Sequence, residues 1–134
     1  QKLIQKFLRN MPALKKLRSN VQEAAQSGSI PGLDGRRLYI RSDHAALNTL
    51  LQGAGAIVCK QWLVEMDNRI RKTGLDARLV ASVHDEYQFE VAKSDVKRFT
   101  QITKDAMYHT QKTFNFKCEL DSDYKVGSNW AETH

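Results

Sequence analysis

At 134 residues with 41% hydrophobic residues, the chain is long enough for one domain with a real core and too short for two well-packed ones. Twenty-one Lys and Arg against 15 Asp and Glu leave a formal charge of +6 and a pI near 9.4, a balance that favours polyanionic partners such as nucleic acid. Apolar runs are short and the first 30 residues mix Lys, Arg and Gln through the apolar pattern, so neither a signal peptide nor a membrane span is expected.

In chain order, Leu3, Ile4, Phe7, Leu8, Leu14, Leu17 and Val21 recur at helical spacing. The pattern predicts helix over 1–27, broken or restarted at Pro12 and ended by Gly28. Residues 30–41 then carry Asp34-Gly35 between short apolar runs, a signal for a tight hairpin, with Arg36, Arg37 and Arg41 crowding its second strand. From Ser42 or Asp43, either able to cap a helix, an uninterrupted pattern runs over 43–73. Its expected apolar side is Leu47, Leu50, Leu51, Ala54, Val58, Trp62 and Met66, and Gly74 is the natural stop. Such a helix is about 45 Å long.

Residues 77–92 read as two strands meeting near His84-Asp85, with Leu79, Val80, Val83, Phe89 and Val91 as apolar members. Ser94 is a suitable N-cap for a helix over 95–113 that buries Val96, Phe99, Ile102, Ala106 and Met107. Residues 116–134 suggest a last strand and a short tail. The sum is a single α+β domain, a small antiparallel sheet with long helices packed on one face. Cys59 and Cys118, far apart and without a CxxC or metal-finger spacing, read as reduced thiols of an intracellular protein. A chain that starts at Gln1 is expected to be the product of cleavage or a section of a longer sequence.

His84-Asp85-Glu86 is the most informative triplet, because three ionisable residues directly follow an apolar run. Neighbouring strand residues point to opposite faces, so Asp85 and Glu86 reach one ion together only if the chain turns there. Asp85 is the expected ligand and Glu86 its auxiliary. Hard carboxylate oxygens suit Mg²⁺, and a pair of ions roughly 4 Å apart serves phosphoryl transfer. A single carboxylate cannot build such a site, and Glu119, Asp121 and Asp123 are the later candidates in a predicted strand. On spacing alone, a charged hairpin tip standing in water is the commoner explanation of such a triplet. On the long helix, His44, Asn48 and Gln52 fall at i, i+4 and i+8 and form one polar ridge, either the wet face of the helix or a set of donors for base edges in a minor groove. Lys15, Lys16, Arg18, Arg36, Arg37 and Arg41 are candidate phosphate contacts or a solubilising surface.

Together, GRRLYI at 35–40, HAALNTLLQGAGA at 44–56, VHDE at 83–86 and NWAETH at 129–134 resemble ordered segments of family A (DNA polymerase I-type) DNA polymerases. The direct join of GLDGRRLYIRS to HAALNTLLQ looks more like the replicative enzymes of short-tailed phages than the bacterial ones. The resemblance implies a C-terminal palm segment of a DNA-directed DNA polymerase. Asp85 would match the family's metal-binding aspartate of motif C, Glu86 the adjacent carboxylate near the primer end, and His84 a neighbour of the primer terminus. Asn48 and Gln52 would track the minor groove, with His44 where bacterial members carry Arg, and Arg36 and Arg37 would lie near the duplex backbone. Implied partners are primer-template DNA, dNTPs, Mg²⁺ and the remainder of the polymerase (thumb, fingers and the motif A part of the palm), in the cytoplasm of a bacterial or phage-infected cell. The chain alone is expected to lack activity and to self-associate through an unpaired sheet edge. Two other readings stand beside this one, a non-catalytic primer-template-binding module and an independent metal-dependent nuclease.

Overall fold

A computed structural model describes residues 2–42 and 45–133. Contacts gather into two compact units, residues 1–57 and residues 58–134. In the first, helix α1 (Lys2–Asn10) gives way to α2 (Pro12–Ala25) with Pro12 in its first turn, where a missing N–H costs nothing and the fixed φ suits helix entry. Gly28, at φ 79°, turns the chain out of α2 into strand β1 (Ser29–Pro31), which pairs antiparallel with β2 (Arg37–Tyr39). The connection holds a Gly35 N–H to Gly32 carbonyl bond of 3.0 Å and places Gly35 at φ 81°. Asp34 keeps a negative φ, so Asp34-Gly35 is not a two-residue primed turn but the end of a longer loop closed by glycine in the left-handed region.

Val21, Ala25, Ile30 and Ala46 form the core of this unit, with Leu38, Ile40, Leu47 and Leu50 packed on it. Leu38 reaches the start of α3 (Ala46–Thr73) because Gly53 has no Cβ, and one added there would stand 3.2 Å from a Leu38 methyl. The helical spacing of Leu3, Ile4 and Phe7 is present in α1, but all three are exposed, Leu3 at 85%. Asp43 and His44, and with them the expected cap at Asp43 and the His44 end of the polar ridge, lie outside the described residues.

The later turns of α3 belong to the second unit. Its end is fixed by two bonds, Leu75 N–H to the Ile70 carbonyl and Gly74 N–H to the Arg71 carbonyl, around Gly74 at φ 66°. This pattern places the residue after the glycine against the helix, and Leu75 and Ile70 are both buried. Strands β3 (Ala77–Val83) and β4 (Glu86–Val91) form a separate two-stranded antiparallel sheet. Helix α4 (Val96–Thr113) repeats the same C-terminal closure with Asn115 at φ 51°, whose N–H bonds the Lys112 carbonyl while that of Phe116 bonds Gln111.

Met66, Ile70, Leu75, Ile102 and Ala106 make the core of the second unit, flanked by Trp62, Leu63, Ala77, Tyr87, Phe89 and Phe99. The helices therefore cover one face of the β3-β4 hairpin, as expected for the α+β class. Three expectations are corrected. The N-cap of α4 is Asp95 and not Ser94, and the Asp95 carboxylate accepts a 3.3 Å bond from the Asp76 N–H, which ties the entry of β3 to α4. Leu79, Val80 and Val83 are exposed and not core, at 45%, 66% and 45%; Val80 faces away from Leu79 by strand alternation, and a bulge between Leu79 and Ala81 turns Val83 away as well. No strand forms among described residues 116–133, because Asn115 and Phe116 are used to close α4 and no neighbouring strand offers a ladder; a single 3-10 turn, Trp130–Glu132, follows. No helix among the described residues is long and apolar enough to cross a membrane.

Candidate active site

Both strands of the β3-β4 hairpin close on the pair Val83 and Glu86, leaving His84 and Asp85 as a two-residue turn. His84 sits at φ 54° and Asp85 does not share the positive sign, the pattern of a turn that usually takes glycine first. A histidine held there costs on the order of 1 kcal/mol, and such strain gathers at functional positions. The turn meets the condition set by the sequence, since Asp85 leaves the strand alternation while Glu86 begins β4. Both carboxylates are exposed. Glu86 is tied along its strand by the Gln88 amide, which donates to its Oε1 at 2.9 Å. No hydrogen bond or ion pair holds the Asp85 carboxylate among the described residues.

The bulge at Val80 determines which side chains flank this turn. Cross-strand partners share a face, so Ala77, Leu79 and Ser82 lie on the face of Val91, Phe89 and Tyr87; Ala77, Phe89 and Tyr87 pack on the core there, while Leu79 and Ser82 stay exposed. Arg78, Ala81 and Val83 stand opposite with Glu90, Gln88 and Glu86. An unbulged strand would put Ala81 and Val83 on the covered side with Leu79. Bulges of this kind bend a strand and redirect its end.

Beneath the turn lies the middle of α3. Burial, and after it the charge of Asp85, push the Cys59 thiol above its ordinary value, and burial followed by Cys59 does the same to the Tyr87 hydroxyl. Proximity of Cys59 to the tip was not read from the sequence, although its spacing from Trp62 and Met66 puts it near the predicted apolar side. A raised pKa leaves less thiolate at a given pH, so Cys59 is expected to react with a neutral disulfide reagent at pH 8 more slowly than exposed Cys118. Asp85→Asn should accelerate Cys59 alone, as followed by mass spectrometry of each peptide; an unchanged rate would contradict the proximity.

Among the described residues no set of three or more metal-ligating side chains gathers, so Asp85 and Glu86 are not joined by Glu119, Asp121 and Asp123 into such a cluster. The donor chemistry nonetheless suits a hard cation. Two exposed carboxylates offer oxygen ligands without a basic side chain paired to Asp85, and further ligands would have to come from elsewhere.

In the first unit Asn48 and Gln52 are exposed one turn apart on α3. Arg36 is engaged by Asp34, with Nε at 3.0 and 2.7 Å from its two oxygens and Nη2 at 2.7 Å. That hydrogen-bonded guanidinium holds the Asp34 carboxyl below the ordinary carboxylate range. Arg37 and Arg41 are exposed. Residues 1–57 hold nine Lys and Arg against three Asp and Glu, net +6, whereas residues 58–134 hold twelve of each. All the net charge therefore belongs to the unit that carries the arginine hairpin and the Asn48-Gln52 ridge.

The chain thus joins a hairpin turn with adjacent carboxylates in one unit to the net positive charge of the other. Comparison with known proteins defines the family. The family model for DNA polymerase family A matches residues 1–132. The DNA-directed DNA polymerase of Enterobacteria phage T3 is 36% identical over 156 residues, covering all of this chain and 22% of that protein, and that of Escherichia phage T7 matches to the same extent. DNA polymerase I of Bacillus caldotenax is 30% identical over 142 residues, covering 96% of this chain and 16% of that protein. Among solved structures, the POL domain of Pol1 from M. smegmatis, in complex with DNA primer-template and dNTP, superposes with a TM-score of 0.72 at 25% identity, over 80% of this chain and 21% of that one. The chain belongs to DNA polymerase family A. It spans about a fifth of the length of the phage relatives it matches.

Proposed function

We propose that this chain is the C-terminal part of the palm of a DNA-directed DNA polymerase and supplies one share of a template-directed site that adds dNTPs to a primer 3′ end. The reading is carried by the family match over residues 1–132 together with a two-residue turn that sets Asp85 in water beside Glu86. Asp85 is the metal-binding carboxylate, Glu86 its auxiliary neighbour, and His84 the residue beside the primer terminus. Mg²⁺ bound there supplies charge neutralisation at the reacting phosphate and lowers the pKa of the attacking hydroxyl. The protein's task at this turn is to hold Asp85 at a fixed place, and the tight closure at Val83 and Glu86 suits it.

Asn48 and Gln52, with His44 on the same ridge of the sequence, offer donors for the acceptors that every base pair presents in the minor groove. Arg37 and Arg41 contact backbone phosphates, and Arg36 contributes less because Asp34 already neutralises it. Partners are primer-template DNA, dNTP and the remaining thumb, fingers and motif A part of the palm, in the cytoplasm of a bacterial or phage-infected cell. Replacing Arg37 or Arg41 by Ala should lower the slope of log affinity against log salt by about 0.9 each, measured by anisotropy of a labelled primer-template, with Arg36→Ala changing it less. Equal slopes in all three variants would remove them from the interface.

Primer extension tests the whole reading. With Mg²⁺ and all dNTPs, the isolated chain should extend nothing, and a mixture with the rest of the polymerase should extend the primer. Extension by the chain alone would mean that a second ligand lies within it. Mg²⁺-dependent cutting of DNA by the chain alone would make it a nuclease, and duplex binding without extension in any mixture would make it a binding module.

A further inference from the structure

The turn at His84-Asp85 has no core of its own, since His84, Asp85 and Glu86 are all exposed. A carboxylate that must meet an ion at a set place needs its backbone fixed by the residues behind it. Tyr87 is the first side chain after the turn that faces the covered side, where it pairs across the ladder with Ser82. Its ring lies 5.4 Å from that of Trp62, centroid to centroid, with the planes tilted by 52°. The Trp62 indole N–H donates to the Thr103 carbonyl at 2.9 Å. Thr103 is buried in α4 between Ile102 and Ala106, themselves members of the Met66 core. One stiff side chain from α3 is thereby fastened to α4 at its polar edge and pressed against the hairpin two residues from Asp85.

A plain filling role would need only the bulk of the indole. A partly buried indole N–H aimed at one particular carbonyl adds a direction, because it fixes the rotation of the ring and with it the surface on which Tyr87 rests. A second polar side-chain link between α3 and α4 pairs His109 Nδ1 with Glu65 Oε1 at 3.2 Å further along both helices, whereas the Trp62 bond is the one made by a ring that also rests on the hairpin.

We propose that Trp62 is a positioning residue for Asp85, holding the hairpin turn against α4 through Tyr87 and the Thr103 carbonyl so that the carboxylate meets its metal at the required place. The inference rests on the reading of Asp85 as a metal ligand. The test uses the full-length polymerase that carries this segment, with Trp62→Phe, which keeps a ring against Tyr87 and removes the N–H, Trp62→Leu, which removes both, and Asp85→Asn as reference. Measured are Mn²⁺ affinity by electron paramagnetic resonance in the ternary complex, the Mg²⁺ dependence of single-turnover incorporation, primer-template Kd and the thermal midpoint. Trp62→Phe should weaken Mn²⁺ binding and raise the Mg²⁺ half-saturation by about tenfold, with Kd for primer-template and the thermal midpoint unmoved; for Trp62→Leu the loss should approach about 100-fold.

Excess Mg²⁺ should restore the rate of the Phe variant but not that of Asp85→Asn. If Asp85→Asn is inactive while both Trp62 variants keep wild-type metal affinity and rate, the positioning role is overturned and the site reading stands. If the Phe variant loses thermal stability and DNA affinity in step with rate, Trp62 is core packing and the proposal falls. If Asp85→Asn extends primers at the wild-type rate, the site reading itself fails and takes this inference with it.

Discussion

Asp85→Asn in the full-length polymerase is expected to slow nucleotide incorporation by about 10³-fold or more while primer-template affinity stays within about twofold. Asp85 is exposed in a two-residue turn and makes no hydrogen bond or ion pair among the described residues, so exchanging its oxygen for an amide removes charge and little else. A metal's stabilisation of transition-state charge is worth several kcal/mol, and each 1.36 kcal/mol is about a factor of ten in rate. Glu86→Gln should cost less, on the order of tenfold, because Gln88 already engages one of its oxygens. Rapid-quench measurement of a single turnover separates the two effects, and a wild-type rate in Asp85→Asn would remove the carboxylate from the chemistry.

Met66→Ala is expected to destabilise the second unit by about 2–5 kcal/mol, a large part of the roughly 5–15 kcal/mol typical of a domain. Met66 is fully buried, and Ile70, Leu75, Ile102 and Ala106 complete the cluster around it. Removing its side chain leaves a cavity between two helices that are also fixed by the Trp62 hydrogen bond, so collapse into the space is restrained. On the same helix Leu51 is 53% exposed, and Leu51→Ala should change stability by no more than about 0.5 kcal/mol. Urea unfolding followed by near-ultraviolet circular dichroism compares them, and equal midpoints would mean that the core is misplaced.

Elements governed by local chemistry were legible in the sequence. Pro12 marked the restart of the first helical stretch and Gly74 the end of the long helix, because each residue restricts or frees the backbone at its own position. The α+β class followed from periodicity in the same way. Val83 shows where this stops. It ends an apolar run and reads as a core member, yet the bulge that turns it outward exists only in relation to Phe89 and Gln88 on the partner strand. The strand expected from residue 116 failed for a related reason, since the helix closure that takes up Asn115 and Phe116 depends on the carbonyls of Lys112 and Gln111.

The candidate site divides along the same line. Asp85 and Glu86 stood out because three ionisable residues follow an apolar run, and the hairpin turn needed to free Asp85 from strand alternation was foreseeable. Trp62 and Cys59, which lie behind that turn, were read only as part of a helix and as a thiol. Their relation to Asp85 is made by packing of α3 on the hairpin, and residues more than twenty positions apart carry no local signal of it. Arg36 was grouped with Arg37 and Arg41 by charge, whereas its bonds to Asp34 set it apart.

The most direct test of the central claim is cleavage of the protein backbone by Fe²⁺ substituted for Mg²⁺ in the polymerase-DNA-dNTP complex, with ascorbate and peroxide. Cuts at residues 84–86 that Mg²⁺ suppresses and Asp85→Ala abolishes are the result predicted for a metal held by Asp85. Cuts confined to 119–123, or an unchanged pattern in the Asp85 variant, would contradict it.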